Sequence, residues 1–110
     1  RSKYIMKTHA EKELRVIVVK HDLWVETDGV EGVRADFSYA DLTDADFYDL
    51  SLLGVNFSNT NLTNANFTNA NLTNANFRCA NLTGADFSYA DLRYANFSNA
   101  NIEDAYFTYI

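Results

Sequence analysis

Proline is absent from the 110 residues, glycine occurs four times, and cysteine occurs once, at Cys79. Collagen-like and proline-rich linker architectures are thereby excluded. A lone cysteine excludes an internal disulfide and a multi-cysteine zinc site. Long hydrophobic runs are missing too. The longest aliphatic stretch, Val16–Val19, is far below the ~20 apolar residues of a membrane-spanning helix. No signal-peptide pattern precedes it, because Lys3, Lys7 and Lys12 lead into no long apolar stretch with a small-residue cleavage site. The expectation is a soluble, cytoplasmic chain with no membrane partner. With 47% hydrophobic and 22% charged residues it has a globular composition, enough for one core and too little for two.

Basic residues are scarce where most of the chain lies. Residues 1–34 hold seven Lys/Arg against six Asp/Glu, a balance of +1, whereas 35–110 hold Arg78 and Arg93 against nine acids, a balance of −7. A surface of that sign repels a duplex, since binding requires cations that replace phosphate counterions. No direct nucleic-acid binding is expected.

What is present is a repeat. From Ala35 a large apolar residue returns every five positions: Phe37, Leu42, Phe47, Leu52, Phe57, Leu62, Phe67, Leu72, Phe77, Leu82, Phe87, Leu92, Phe97, Ile102 and Phe107. Two positions earlier stands alanine, except at Leu50, Val55 and Thr60, and between the two stands Asp or Asn, except at Ser51 and Tyr106. Fifteen units fill 35–109. A period of five puts successive large residues on opposite faces of a strand and about 140° apart on a helix. A chain that turns once per unit brings them all to one axis, which is a solenoid with coils about 4.8 Å apart. Phe alternates with Leu/Ile throughout. Four units per coil therefore stack like on like, with two Phe columns facing each other and two Leu columns facing each other, so every layer has similar volume.

The stretches ADFSYADL (35–42) and NLTNANFTNANLTNANF (61–77) resemble the pentapeptide repeat family, whose unit reads A(D/N)LXX. The resemblance implies an all-β solenoid, a right-handed quadrilateral β-helix, and a bacterial setting; fifteen units at four per coil make just under four coils. It implies little about function. Leu50, Val55, Thr60 and the following Leu53-Gly54 predict a bulged or locally widened coil.

A solenoid needs covered ends. Residues 1–34 are read as an N-terminal tail and cap, and 35–110 as the β-helix. Residues 1–9 are expected to be loose. Within 10–27, Leu14, Ile17, Val18, His21, Trp24 and Val25 follow helical spacing and give one apolar face; the β-branched RVIVV run also fits a short strand before a shorter helix. His21 and Trp24 are read as packing residues, and TDGVEGVR (27–34) as the turn into the first coil. No cap is visible after Ile110. Tyr89 and Tyr109 fall one coil apart on one corner, Tyr94 on the adjacent side, and Tyr106 in an outward slot. With Ile110 they form the candidate surface for a protein partner or a homodimer through the C-terminal end.

Chemistry is not visible in the sequence. His9 and His21 lack metal spacing to Cys79, Cys79 occupies a corner, and Asp36, Asp41, Asp44, Asp46 and Asp49 read as a solvated face. No phosphate loop or GxSxG occurs. The Asn-x-Ser/Thr triplets arise from the repeat and are not read as glycosylation sites. No enzyme activity, cofactor or metal is expected. The primary reading is a non-enzymatic protein-binding or scaffold module, with contact at the tyrosine end or at Tyr48–Gly54. The alternative is an acidic B-DNA mimic that binds a type II topoisomerase such as DNA gyrase, as some quinolone-resistance members of the family do. Against it, 50–85 contains no acid, so no negative stripe is continuous. A hydroxyl array for ice is a third reading; Thr43, Thr63, Thr83 and Ser38, Ser58, Ser98 give only single columns.

Overall fold

The computed structural model describes residues 9–110. The chain divides into two compact units, Arg1–Ala35 and Asp36–Ile110. The expectation for residues 1–8 lies outside the described residues, and His9 belongs to the helix rather than to a loose tail.

The first unit contains one helix, α1 (His9–Glu26), which decides against the strand-plus-helix alternative. No proline or glycine interrupts it, so the β-branched run costs only a few tenths of a kcal/mol per residue. Helix α1 ends in a six-residue cap: the Gly29 N–H donates to Trp24 O at 2.8 Å and the Asp28 N–H to Val25 O at 3.3 Å. Asp28 is left-handed there (φ 52°), the geometry that satisfies terminal carbonyls. The chain then returns along the helix. The Val33 N–H donates to Lys20 O at 3.1 Å. Gly32 passes so near that a Cβ would collide with Lys20 O.

His21 is buried, its Nδ1 accepting the Ala35 N–H at 3.0 Å and its ring stacked on Trp24 at 5.5 Å. The packing role read for this pair agrees with that geometry. Among the described side chains of the helix, Leu14, Val18 and His21 are buried. Ile17, expected on the same face, is exposed, because it lies about 100° from Val18 at the edge of that face.

In the second unit every bridge is parallel and joins a residue to the one twenty positions on, from Asp36↔Asn56 to Asp86↔Tyr106. Twenty residues are four units, so each unit forms one side of a coil. One unit shows why five residues suffice. The Ala70 N–H closes a turn on Phe67 O, Asn71 N–H donates to Leu50 O of the coil below, and Leu72 and Asn74 N–H donate to Asp91 and Arg93 O of the coil above. The fifth donor, the Thr73 N–H, points off the ladder and is taken by the Asn71 side-chain Oδ1 at 3.1 Å. All five backbone donors of the unit are satisfied, as burial demands.

All thirteen Asp and Asn residues at this position accept the N–H two residues on, at 2.9–3.2 Å. The repeat's Asp/Asn requirement is therefore an Asx turn.

The core follows the alternation of Phe and Leu. Phe47, Phe67 and Phe87 stack at 5.0 Å with rings within 5° of parallel. The facing column Phe57 and Phe77 stacks at 5.1 Å, and the two columns meet edge to face, as in Phe67–Phe77 at 5.6 Å and 84°. Both arrangements are favoured by the ring quadrupole.

Of the bulged or locally widened coil expected near Leu53-Gly54, the bulge is absent and a slight widening of two turns is present. Leu52 and Gly54 N–H bond Asn71 and Thr73 O at 2.8 Å, in register with their neighbours. Leu50 and Thr60 are absorbed inside, 2% exposed, by stretching their turn bonds to 3.3 and 3.4 Å against 2.9–3.1 Å in the alanine units. The buried Thr60 hydroxyl is satisfied by Phe57 O at 2.5 Å.

Candidate interaction surface at the tyrosine corners

Each corner carries a second residue in the left-handed region, from Tyr39 (φ 64°) to Tyr109 (φ 60°), with Gly54 and Gly84 among them. Asn, Asp and Gly suit that conformation, and they fill ten of the fifteen corners. Tyr39, Cys79, Tyr89, Tyr94 and Tyr109 fill the others. A left-handed residue with an ordinary Cβ costs about 1–2 kcal/mol, and Tyr94 recovers least of it by burial at 84% exposed, whereas Tyr89 and Tyr109 cover part of each other by stacking.

Of the five candidate residues, the structure places four tyrosines along half a coil's perimeter. Tyr106 replaces the Asx residue on the side 105–107, and Tyr89 and Tyr109 occupy the next corner, their rings stacked at 4.7 Å and 15°. Tyr94 takes the corner after the side 90–92. Ile110 joins Tyr89, Asp91, Leu92 and Arg93 in an open hollow beside the stacked pair; Tyr94 and Tyr106 lie outside it. Within the coil 91–110, the inward Ile102 and Phe107 are also exposed, unlike the fully buried Phe67 and Leu72.

Two residues lining the hollow form an ion pair. Arg93 Nε and Nη2 donate to the two Asp91 carboxylate oxygens at 3.0 and 2.7 Å, and the Arg93 N–H donates to Oδ1 as well. These bonds hold the Asp91 carboxyl below the ordinary carboxylate range and raise the Arg93 guanidinium. On the opposite pair of sides, Asp41 is lowered by the Thr43 hydroxyl and then by the Thr43 N–H. That is local turn chemistry, and no metal-binding group of three residues occurs among the described residues.

Tyr48, in the other expected contact region, is half-exposed and its hydroxyl accepts from Asn69 Nδ2 at 3.3 Å. Sequence reading missed Tyr39, a left-handed corner residue 80% exposed. Its signal was present: an aromatic in the slot that the repeat usually gives to Asn, Asp or Gly.

A family model for the pentapeptide repeat region matches residues 32–107. Among solved structures, a pentapeptide repeat protein from the Arabidopsis thaliana thylakoid lumen is 43% identical with a TM-score of 0.65, over 66% of this chain and 50% of its own. HetL, a pentapeptide repeat protein involved in heterocyst differentiation regulation in the cyanobacterium Nostoc, is 30% identical with a TM-score of 0.43, over 64% and 38%. The chain thus spans half or less of the length of these two relatives. No curated protein matches the chain. Repeat, Asx turns and family match agree: this chain belongs to the pentapeptide repeat family.

Proposed function

We propose that the chain is a non-enzymatic protein-binding module whose contact surface is Tyr89, Tyr94, Tyr106, Tyr109 and Ile110, with a second copy as the first partner to test. The observation that carries this reading is the exposed tyrosine at three left-handed corners. Aromatic rings in a conformation that disfavours them, stacked outward and unburied, contribute little to the chain's own stability and much to an interface. The cytoplasmic setting is part of the proposal, as are the right-handed sense, the count of just under four coils, and the role of 1–34 as tail and cap. Fifteen units at four per coil and a family match that begins at residue 32 support the last two. The acid-free stretch 50–85 weighs against a duplex mimic, which needs a continuous negative rod.

Light scattering on this chain and on Tyr109→Ser tests the reading. At about 1 µM, below the range in which a weak helix seam would pair, the expected result is a dimer mass that Tyr109→Ser reduces to the monomer. A monomer there, or a dimer indifferent to Tyr109→Ser, overturns the tyrosine surface.

A further inference from the structure

Helix α1 has a second apolar face besides its buried one. Val16, Val19 and Leu23 are 54%, 45% and 40% exposed. Their i, i+3, i+7 spacing aligns them in one stripe, which Lys12 extends at the amino end and Glu26 at the carboxyl end. Lys12, Arg15 and Lys20 border a shallow hollow over Val16 and Val19.

Neither feature serves the helix itself. β-branched valines are poorer helix formers than the straight-chain polar residues that usually cover an exposed face. The last turn contains no basic residue and ends on Glu26, the sign the helix dipole disfavours at a carboxyl end.

The stripe is complementary to itself. Val19 lies seven residues after Lys12 and seven before Glu26. When two copies of α1 run antiparallel with their Val19 side chains meeting, each Lys12 therefore faces the other copy's Glu26, and Val16 falls about 1.5 Å, one residue's rise, from level with Leu23. The helix dipoles are opposed as well, which is favourable.

We propose that this face of α1 pairs two copies of the chain as an antiparallel helix pair, centred on Val19 and fixed in register by two reciprocal Lys12–Glu26 contacts. The surface is distinct from the tyrosine corners. An 18-residue helix is about 27 Å long, so the seam is small beside the ~1,600 Å² of a standard interface. Association is expected between about 10 µM and 1 mM.

Sedimentation equilibrium across that range tests the proposal on the parent chain, Lys12→Glu, Glu26→Lys, and an equimolar mixture of the two variants. Each variant alone places like charges at both contacts and weakens its own pairing about fivefold or more. The mixture places opposite charges at both contacts and associates at least as strongly as the parent. The substitutions are at exposed positions, and circular dichroism verifies that the fold is retained. Tyr109→Ser leaves the mixed association intact, which separates this surface from the tyrosine corners.

Three outcomes overturn the proposal. They are a parent monomeric at 1 mM, a mixture no more associated than its components, and a parent association that Tyr109→Ser abolishes while Lys12→Glu does not. Sedimentation with anionic phosphatidylglycerol vesicles, lost in Lys12→Glu, in a chain that does not pair with itself would instead assign the face to a lipid surface.

Discussion

Replacing Tyr94 by asparagine should make the protein more stable. Tyr94 has φ 61° and is 84% exposed. A left-handed residue with an ordinary side chain costs about 1–2 kcal/mol. Asparagine relieves part of that cost, and it already occupies the equivalent position at Asn74, one coil earlier. The opposing term is the buried part of the ring. At roughly 200 Å² for a tyrosine and 16% hidden, about 30 Å² leaves contact, worth about 0.8 kcal/mol at 25 cal/mol per Å². Asparagine hides a similar fraction of its own smaller surface, so the loss is nearer half of this. The net gain is about 0.5–1 kcal/mol, or about 2–8 °C in Tm for a domain of this size. Thermal melting by circular dichroism reads it directly. Tyr94→Ala is the control, since alanine loses the ring and keeps the left-handed penalty, and it should melt at or below the parent. If Tyr94→Asn melts no higher than Tyr94→Ala, corner strain is not what these tyrosines carry, and the argument for a contact surface built on it fails.

Three further outcomes follow from the same geometry. Phe67→Ala should lose about 3–5 kcal/mol in denaturant titration, since the ring is fully buried between Phe47 and Phe87, and Phe67→Leu should lose distinctly less. Gly32→Ala should detach 27–34 from α1, because its Cβ would meet the backbone at Lys20 O and Trp24 N at a left-handed φ of 78°; faster amide exchange at Val33 and Ala35 would report it. Arg93→Gln should return the Asp91 carboxyl upward toward the ordinary range in an NMR titration while leaving Asp41 unmoved. The sign is that of a depressed carboxylate: whatever the pair contributes is present above the ordinary carboxylate pKa and is lost as pH falls through the lowered value.

The fold was legible because its period is incompatible with regular strands and helices. Fifteen large residues at intervals of five forced a turning chain, and the alternation of Phe37 with Leu42 and Phe47 selected twenty residues per coil, as the bridges then show. The capping segment 10–27 lies within a residue of the bounds of α1, but the β-branched run left a strand before a shorter helix equally readable, and the apolar face read from spacing is too wide at Ile17.

Other features needed coordinates. Asp36, Asp41 and Asp46 read from sequence as a solvated face, whereas they and Asn71 and its equivalents answer the one N–H of each unit that leaves the ladder; a count of donors per unit could have suggested this, but the donor's direction could not be read from spacing. The bulge at Leu50–Thr60 failed for a related reason. Substituting alanine by something larger changes a side-chain volume, and a few tenths of an ångström in two turn bonds absorb it, whereas a bulge requires an inserted residue. The tyrosines were located by position, but the left-handed backbone that makes them costly was not read, although the Asn, Asp and Gly at ten of the fifteen corners carry its signal.

The central structural claim is that the coil has four sides with like residues stacked on like, and one comparison of melting temperatures tests it. Deleting 61–65 removes one unit and sets Phe67 over the Leu42 column and Leu72 over the Phe47 column. Deleting 61–70 removes two units and restores Phe on Phe and Leu on Leu. The account predicts that the larger deletion melts higher than the smaller one. A Tm that falls steadily with the number of units removed would contradict it, because chain length and not column register would then govern stability.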